Sequence, residues 1–230
     1  MKTKTINFIL LICFISLLYE GCKKEEEDTP DPIVTVTDID GNVYHTITIG
    51  TQVWMVENFK VTHFRNGDSI PNITDDTQWS SMTTSAYCNY ENSSSNSTTY
   101  GRLYNWYVIN DTRNICPEGW HVPTQEEWTT LVDFLGGLTA AGGKIKEIGT
   151  AHWFTPNTGA TNSSGFTGLP AGTRNTSGSF SNIGNHGYWW SSSNKDDVDA
   201  WEFNTNYNHA DMYKNFDPKN TGFSIRLIKD

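Results

Sequence analysis

Basic residues are scarce: 16 Lys and Arg stand against 26 Asp and Glu, for a formal net charge of −10. No cationic patch interrupts that balance, which excludes the electrostatic footprint of a nucleic-acid binder. No apolar run reaches the ~20 residues needed to cross a bilayer, and no heptad repeat suggests a coiled coil. Cysteine is rare as well. Cys13 and Cys22 lie in or beside the N-terminal apolar segment, leaving Cys88 and Cys116 for the body of the chain. The six histidines (His45, His63, His121, His152, His186, His209) form no His-Glu-x-x-His and no paired spacing, so no metal site is expected. There is no Gly-x-Ser-x-Gly elbow and no phosphate-cradling loop, and no cofactor is expected.

The N-terminus does carry a signal. Lys2 and Lys4 precede an apolar run of about 13 residues, Ile6–Leu18, which ends at Gly21-Cys22. This reads as an export signal over residues 1–21. A Cys directly behind a small residue resembles a bacterial lipoprotein box, with Cys22 acylated and held in outer-membrane lipid; several acyl chains give stable anchoring. Lys23-Lys24-Glu25-Glu26-Glu27-Asp28 and the prolines behind it read as an acidic, disordered tether over residues 22–37. Lys followed by acidic residues at this point resembles the surface-export signal of Bacteroidetes lipoproteins, which implies the cell surface.

Asp40-Gly41 between two β-prone runs predicts a hairpin. A calcium loop over the same residues would need Glu at its twelfth position, where Ile49 stands. Val43, His45, Ile47 and Ile49 alternate with Tyr44, Thr46 and Thr48, and Gly50-Thr51 turns that strand into Gln52–Val56. Residues 66–99 read as irregular, with a flexible tip at Ser93–Thr98. Tyr100, Leu103, Tyr104, Tyr107 and Val108 fall on one helical face capped from Ser97, Thr98 or Thr99. The best-marked element starts at Thr124. Thr124 and Glu127 form a capping box, Trp128, Leu131, Val132 and Leu135 form one apolar face, and Gly136-Gly137 ends the helix. Ala140–Ile148 reads as a short helical turn with Gly142-Gly143 as breakers. Strands follow at Tyr188–Ser192, Ala200–Asn204, Ala210–Phe216 and Phe223–Lys229. The order is that of an α+β fold in one domain over residues 38–230. In an oxidising compartment Cys88 and Cys116 are expected to form a disulfide, worth roughly 3–4 kcal/mol on the chain-entropy view.

Six ordered blocks carry a family resemblance. They are Asp40-Gly41-Asn42 with Ile49-Gly-Thr-Gln-Val-Trp-Met-Val-Glu-Asn58, Tyr100-Gly-Arg-Leu-Tyr-Asn-Trp-Tyr107, Cys116-Pro-Glu-Gly-Trp-His-Val-Pro-Thr124, Gly159-Ala-Thr-Asn162, Gly187-Tyr-Trp-Trp-Ser-Ser-Ser193 and Gly222-Phe-Ser-Ile-Arg226. Together they resemble the Fibrobacter succinogenes major paralogous domain, whose members are mostly exported and often lipidated. More distantly, Trp120–Trp128 and Gly222–Arg226 are similar to blocks of the formylglycine-generating enzymes. That likeness implies a C-type-lectin-like fold: two helices, short antiparallel sheets, long irregular loops, and paired N- and C-terminal strands. Those enzymes use two C-terminal, copper-binding cysteines. No Cys follows Cys116 here, so that chemistry is not expected.

The expectation is a surface-exposed, lipid-anchored, non-enzymatic module that binds extracellular glycan or protein. The alternatives are a structural or adhesive envelope component and an unrecognised hydrolase, since a glycosidase carboxylate pair has no fixed spacing in sequence. The lectin tripeptides Glu-Pro-Asn, Gln-Pro-Asp and Trp-Asn-Asp are absent. Nine Trp, ten Tyr and eleven Phe supply aromatic platforms for stacking on sugar rings. The candidate ligand contacts are Trp153, Tyr188, Trp190 and Trp201, with Arg174, Asn175 and Asn185 as polar groups. Strand alternation puts Trp189 opposite its neighbours, which predicts that part of the Tyr188–Trp190 cluster is exposed.

Overall fold

A computed structural model describes residues 34–230; the signal segment, Cys22 and the tether up to residue 33 lie outside the described residues. In chain order the elements are β1 (Thr35–Thr37), β2 (Val43–Ile49), β3 (Gln52–Met55), α1 (Asp76–Ser80), β4 (Tyr87–Cys88), α2 (Ser94–Tyr100), β5 (Leu103–Tyr104), β6 (Trp120–His121), α3 (Gln125–Phe134), α4 (Leu138–Ile145), β7 (Ala171–Arg174), β8 (Phe180–Ile183), β9 (His186–Asn194), β10 (Asp199–Asn206), β11 (Met212–Pro218) and β12 (Ile228–Lys229). This is an α+β architecture. One five-stranded sheet has the order β1-β2-β3-β12-β6, so the C-terminal strand closes onto the N-terminal hairpins. A three-stranded sheet has the order β11-β10-β9, and two ribbons pair β4 with β5 and β7 with β8.

The first hairpin is organised by Asp38. Its carboxylate accepts from the backbone N–H of Asp40 and Asn42, from the Asn42 amide and, at 2.7 Å, from the Tyr44 hydroxyl, while Gly41 supplies the left-handed residue. Ile49 pairs with Gln52 across Gly50-Thr51, the two-residue turn expected. β1 lies inside the segment read as tether: Thr35–Thr37 pairs with Val43–His45, and Val36 packs on the core. In β2 it is Tyr44 that is buried, while Val43 and His45 face solvent.

The capping box is present as read. The Thr124 hydroxyl accepts from the Glu127 N–H and the Glu127 carboxylate accepts from the Thr124 N–H, and Trp128, Leu131 and Val132 are buried. Three other expectations fail. The face running from Tyr100 to Val108 is not one helix; only Trp106–Val108 within it forms a short 3₁₀ turn. The helix is α2, inside the segment read as a loop tip, and it stops at Gly101, where a Cβ would sit 2.7 Å from Asn58 Cβ; Leu103 and Tyr104 then pair with Cys88 and Tyr87. Gly142-Gly143 does not break α4. The helix runs through both, because their missing side chains let it press against the backbone: a Cβ on Gly142 would meet the Asp211 carbonyl at 2.0 Å and one on Gly143 the Gly159 carbonyl at 2.4 Å. Phe223–Arg226 is irregular and wholly buried, and regular pairing resumes only at Ile228.

The core falls into three apolar clusters. One gathers Phe59, Tyr104, Trp106, Trp190, Phe223 and Leu227; the second Trp54, Trp128, Leu131, Phe166, Trp189 and Phe203; the third Trp79, Cys88, Tyr90 and Leu103. Trp189 and Trp190 therefore point to opposite faces of β9 and are both fully buried, because each face at this end of the strand has its own core. An aromatic ring removes roughly 150–250 Å² from water, about 4–6 kcal/mol each at ~25 cal/mol per Å². The expected disulfide is absent. Cys88 sits in the third cluster and Cys116 in the first, both as free thiols, and burial pushes each thiol up to about 12.

Candidate functional site

The register of the three-stranded sheet sorts its side chains by face. Across β10, Asn204 lies opposite Tyr188 of β9 and Tyr213 of β11; Asn206 lies opposite His186; Glu202 lies opposite Trp190 and Asn215. These residues share one face because facing partners in a pleated sheet do. The alternate positions Trp189, Phe203 and Met212 are spent on the second core cluster, where Phe203 stacks on Trp128 of α3 at 5.3 Å. The apolar face is thus consumed by the helices, and the polar face forms a groove of about 360 Å³ between His186, Tyr188, Glu202, Asn204, Tyr213 and Asp217. Tyr188 and Asp217 also line an adjoining hollow of about 360 Å³ with Asn175, Asn182 and Phe223.

Tyr188 forms the ridge between the two hollows. Its ring stacks on His186 at 5.2 Å and on Phe223 at 4.7 Å, with planes within 9° and 13° of parallel, and its hydroxyl lies 3.1 Å from the Asn182 amide nitrogen, which donates to it. Burial, with Glu202 nearby, pushes this phenol up to about 12.

Glu202 is the exceptional group. It is 1 % exposed. Its Oε1 accepts from the Asn204 amide at 2.9 Å, and its Oε2 is buried without a hydrogen-bond partner. Burial holds this carboxyl well above the carboxylate range against the pull of the Asn204 hydrogen bond, and Asp217 adds to the rise. Asp217 itself is pushed up to about 6, first by burial and then by Asp199. No cation contributes to either group; Lys195 lies 3.5 Å from Asp199 at the edge. His186 has an unpartnered buried Nδ1, and burial lowers its pKa, so it offers no positive charge either. The groove floor is therefore a pair of carboxyls, Glu202 and Asp217, both raised by burial and walled by amides and phenols.

One other hollow is chemically committed. The one beside Tyr107, about 340 Å³, holds Asp111 and Arg113, which are bonded to each other by two contacts of 2.9 and 2.7 Å. Among the described residues no cluster of three or more His, Cys, Asp or Glu could hold a metal ion.

Of the seven residues expected to contact ligand, Tyr188 lies in the groove and Asn175 at the rim of the adjoining hollow. Trp153 and Trp190 are buried, their indole N–H groups donating to the Gly168 and Tyr104 carbonyls. Arg174 is buried too. It donates to the Ile73, Thr74 and Gly178 carbonyls and to Asp76, and is stacked near Trp79, so it knits loops together rather than facing a ligand. Asn185 serves the turn before β9 with its backbone and does not line the groove. Trp201 lies on the far face of β10, half-exposed and edge-on to Phe216 at 5.8 Å. Of the Tyr188–Trp190 cluster only Tyr188 is partly exposed, and no tryptophan lines the groove; Tyr188 and Tyr213 are its tyrosine rings. Glu202, Asn204, Asn206, Tyr213, Asn215 and Asp217 were not anticipated. Their signal was polar residues at every second position along two neighbouring strands.

A family model described as the Fibrobacter succinogenes major domain matches residues 47–229. No curated protein and no solved structure matches.

Proposed function

This chain belongs to the Fibrobacter succinogenes major domain family, and we propose that it is a non-enzymatic, lipid-anchored module of the outer membrane that binds extracellular glycan in the groove over β9–β11. The observation that carries this reading is the face itself: two tyrosine rings, three asparagine side chains and an acidic floor around a groove of about 360 Å³. A sugar ring presents C–H faces that pack on aromatic rings and hydroxyls that exchange hydrogen bonds with amides and carboxyls. A C-type-lectin-like scaffold is part of the same proposal, supported by the pairing of β12 with β3 and the two adjacent helices α3 and α4. Acylation of Cys22 and export to the cell surface rest on the N-terminal segment alone.

A glycan array probed with the full chain tests the reading, with Tyr213→Ala as the comparison. Retained glycans that are lost in the variant support it; an array with no retained glycan sinks it. A hydrolase is the second reading, favoured by the placement of Glu202 and Asp217 on adjacent strands of one face. Release of new reducing ends from an arrayed glycan would decide for it and against the binding module. Protease treatment of intact cells tests the address: a surface domain is shaved, a periplasmic one is protected.

A further inference from the structure

The groove floor is rich in hydrogen-bond acceptors. Glu202 Oε2 has no hydrogen-bond partner although it is buried. The Asn204 amide nitrogen is already committed to Glu202 Oε1, which leaves the Asn204 oxygen facing the groove as an acceptor. Asp217 and Asn215 have no side-chain hydrogen bond among the described residues and complete an acceptor-rich floor with no counter-cation. The contrast with the rest of the molecule is sharp. Buried Lys146 donates to three carbonyls, of Thr158, Asn206 and His209, and buried Lys219 to those of Asp196 and Asp197. Buried cations here are matched with acceptors, whereas this buried acid is matched with nothing positive.

We propose that the ligand presents a protonated primary amine to this floor, seated among Glu202, Asp217 and the Asn204 amide oxygen. The proposal rests on the groove being a saccharide site and names the class: an oligosaccharide of hexosamine units whose amino groups are not acetylated. An ammonium carries three donors and no acceptor, which the acceptors of Glu202, Asp217 and the Asn204 amide oxygen can satisfy. A hydroxyl supplies one donor and no charge. With the ammonium seated, its charge compensates those of the ionised Glu202 and Asp217, and the buried side of the floor strengthens that compensation. The ring of Tyr213 adds the attraction of its face for a cation. Access to Oε2 requires a wall side chain to turn. Asn215 faces Glu202 across the strands, is exposed, and is free to do so.

The test compares a β-1,4-linked glucosamine trimer with its fully N-acetylated counterpart by titration calorimetry against the full chain near pH 6. We expect the free-amine trimer to bind at least tenfold more tightly. Glu202→Gln should abolish that preference, and Asn215→Asp, an exposed change that spares the fold, should increase it. Asp133→Asn, on an exposed site of α3, controls for attraction of a polycation to an acidic protein and should leave the preference intact. Equal binding of the two trimers, or a loss in Asp133→Asn as large as in Glu202→Gln, overturns the amine inference while leaving the saccharide groove standing. Binding of neither trimer, together with an empty array, overturns both.

Discussion

Arg226 shows how single residues set the terms of this fold. Its guanidinium is buried and donates to the carbonyls of Met55, Val56 and Phe166 and to Asn58 Oδ1, which also accepts from the Trp189 indole at 2.8 Å. Burial pulls its pKa down to about 9. Arg226→Leu strands several buried acceptors at ~1–3 kcal/mol each, so we expect a loss of at least about 3 kcal/mol in a urea melt. Thr124→Ala removes the hydroxyl that caps α3 and should cost about 1 kcal/mol in the same measurement. Glu202 gives a pH signature. A carboxyl whose folded pKa is raised binds protons in the folded state that the unfolded chain has released, so it favours folding below its unfolded pKa and loses that contribution as pH rises through the folded value. For Asp217 the loss spans roughly pH 4 to about 6, and for Glu202 it continues higher. His121, raised by its bonds to Asp230 and Glu127 against burial, acts in the same direction, and His186 acts oppositely. The difference between the thermal melts of the wild type and Glu202→Gln isolates one group: the variant should match the wild type near pH 4 and gain on it steadily towards pH 8. A flat difference would mean that Glu202 is not held protonated.

Among the elements, α3 was legible because every determinant lies within it: the cap, the apolar stripe and the terminal glycines are all local. Its neighbour α4 was misread because the purpose of Gly142-Gly143 lies across space, in the Asp211 and Gly159 carbonyls. Helix propensity alone makes Gly142→Ala stabilising by up to about 1 kcal/mol. The collision with the Asp211 carbonyl reverses the sign, and we expect a net loss of about 1–3 kcal/mol or more in chemical denaturation. The segment from Tyr100 to Val108 failed for a related reason. Its helical spacing is real, but Gly101 is needed beside Asn58 and the strand pairing of Leu103-Tyr104 takes over. In β9–β11 the alternation is partly visible in the sequence, yet which face the helices cover is not, so nothing local distinguishes the buried Trp190 from a ligand contact or marks Glu202 as the floor of a groove.

For the molecule as a whole, the two thiols are a clean test of assembly. Cys88 and Cys116 belong to different apolar clusters. Reductant should therefore leave the melting temperature unchanged, and an aromatic disulfide reagent should titrate both thiols only after unfolding. A fall of the melting temperature on reduction would restore the disulfide. The α+β order, the family blocks, the capped helix and the Asp40-Gly41 and Gly50-Thr51 turns followed from the sequence alone, because turns, caps and periodicity are interactions between residues close along the chain. The candidate ligand face was decided by tertiary structure. The N–H and C=O pairing of β9, β10 and β11 sets Glu202, Tyr188, Asn204, Tyr213 and Asp217 side by side, and the packing of α3 and α4 on the opposite side leaves that face to the solvent. Burial is a property of what covers a residue, and no residue carries its cover in its own neighbourhood of the chain.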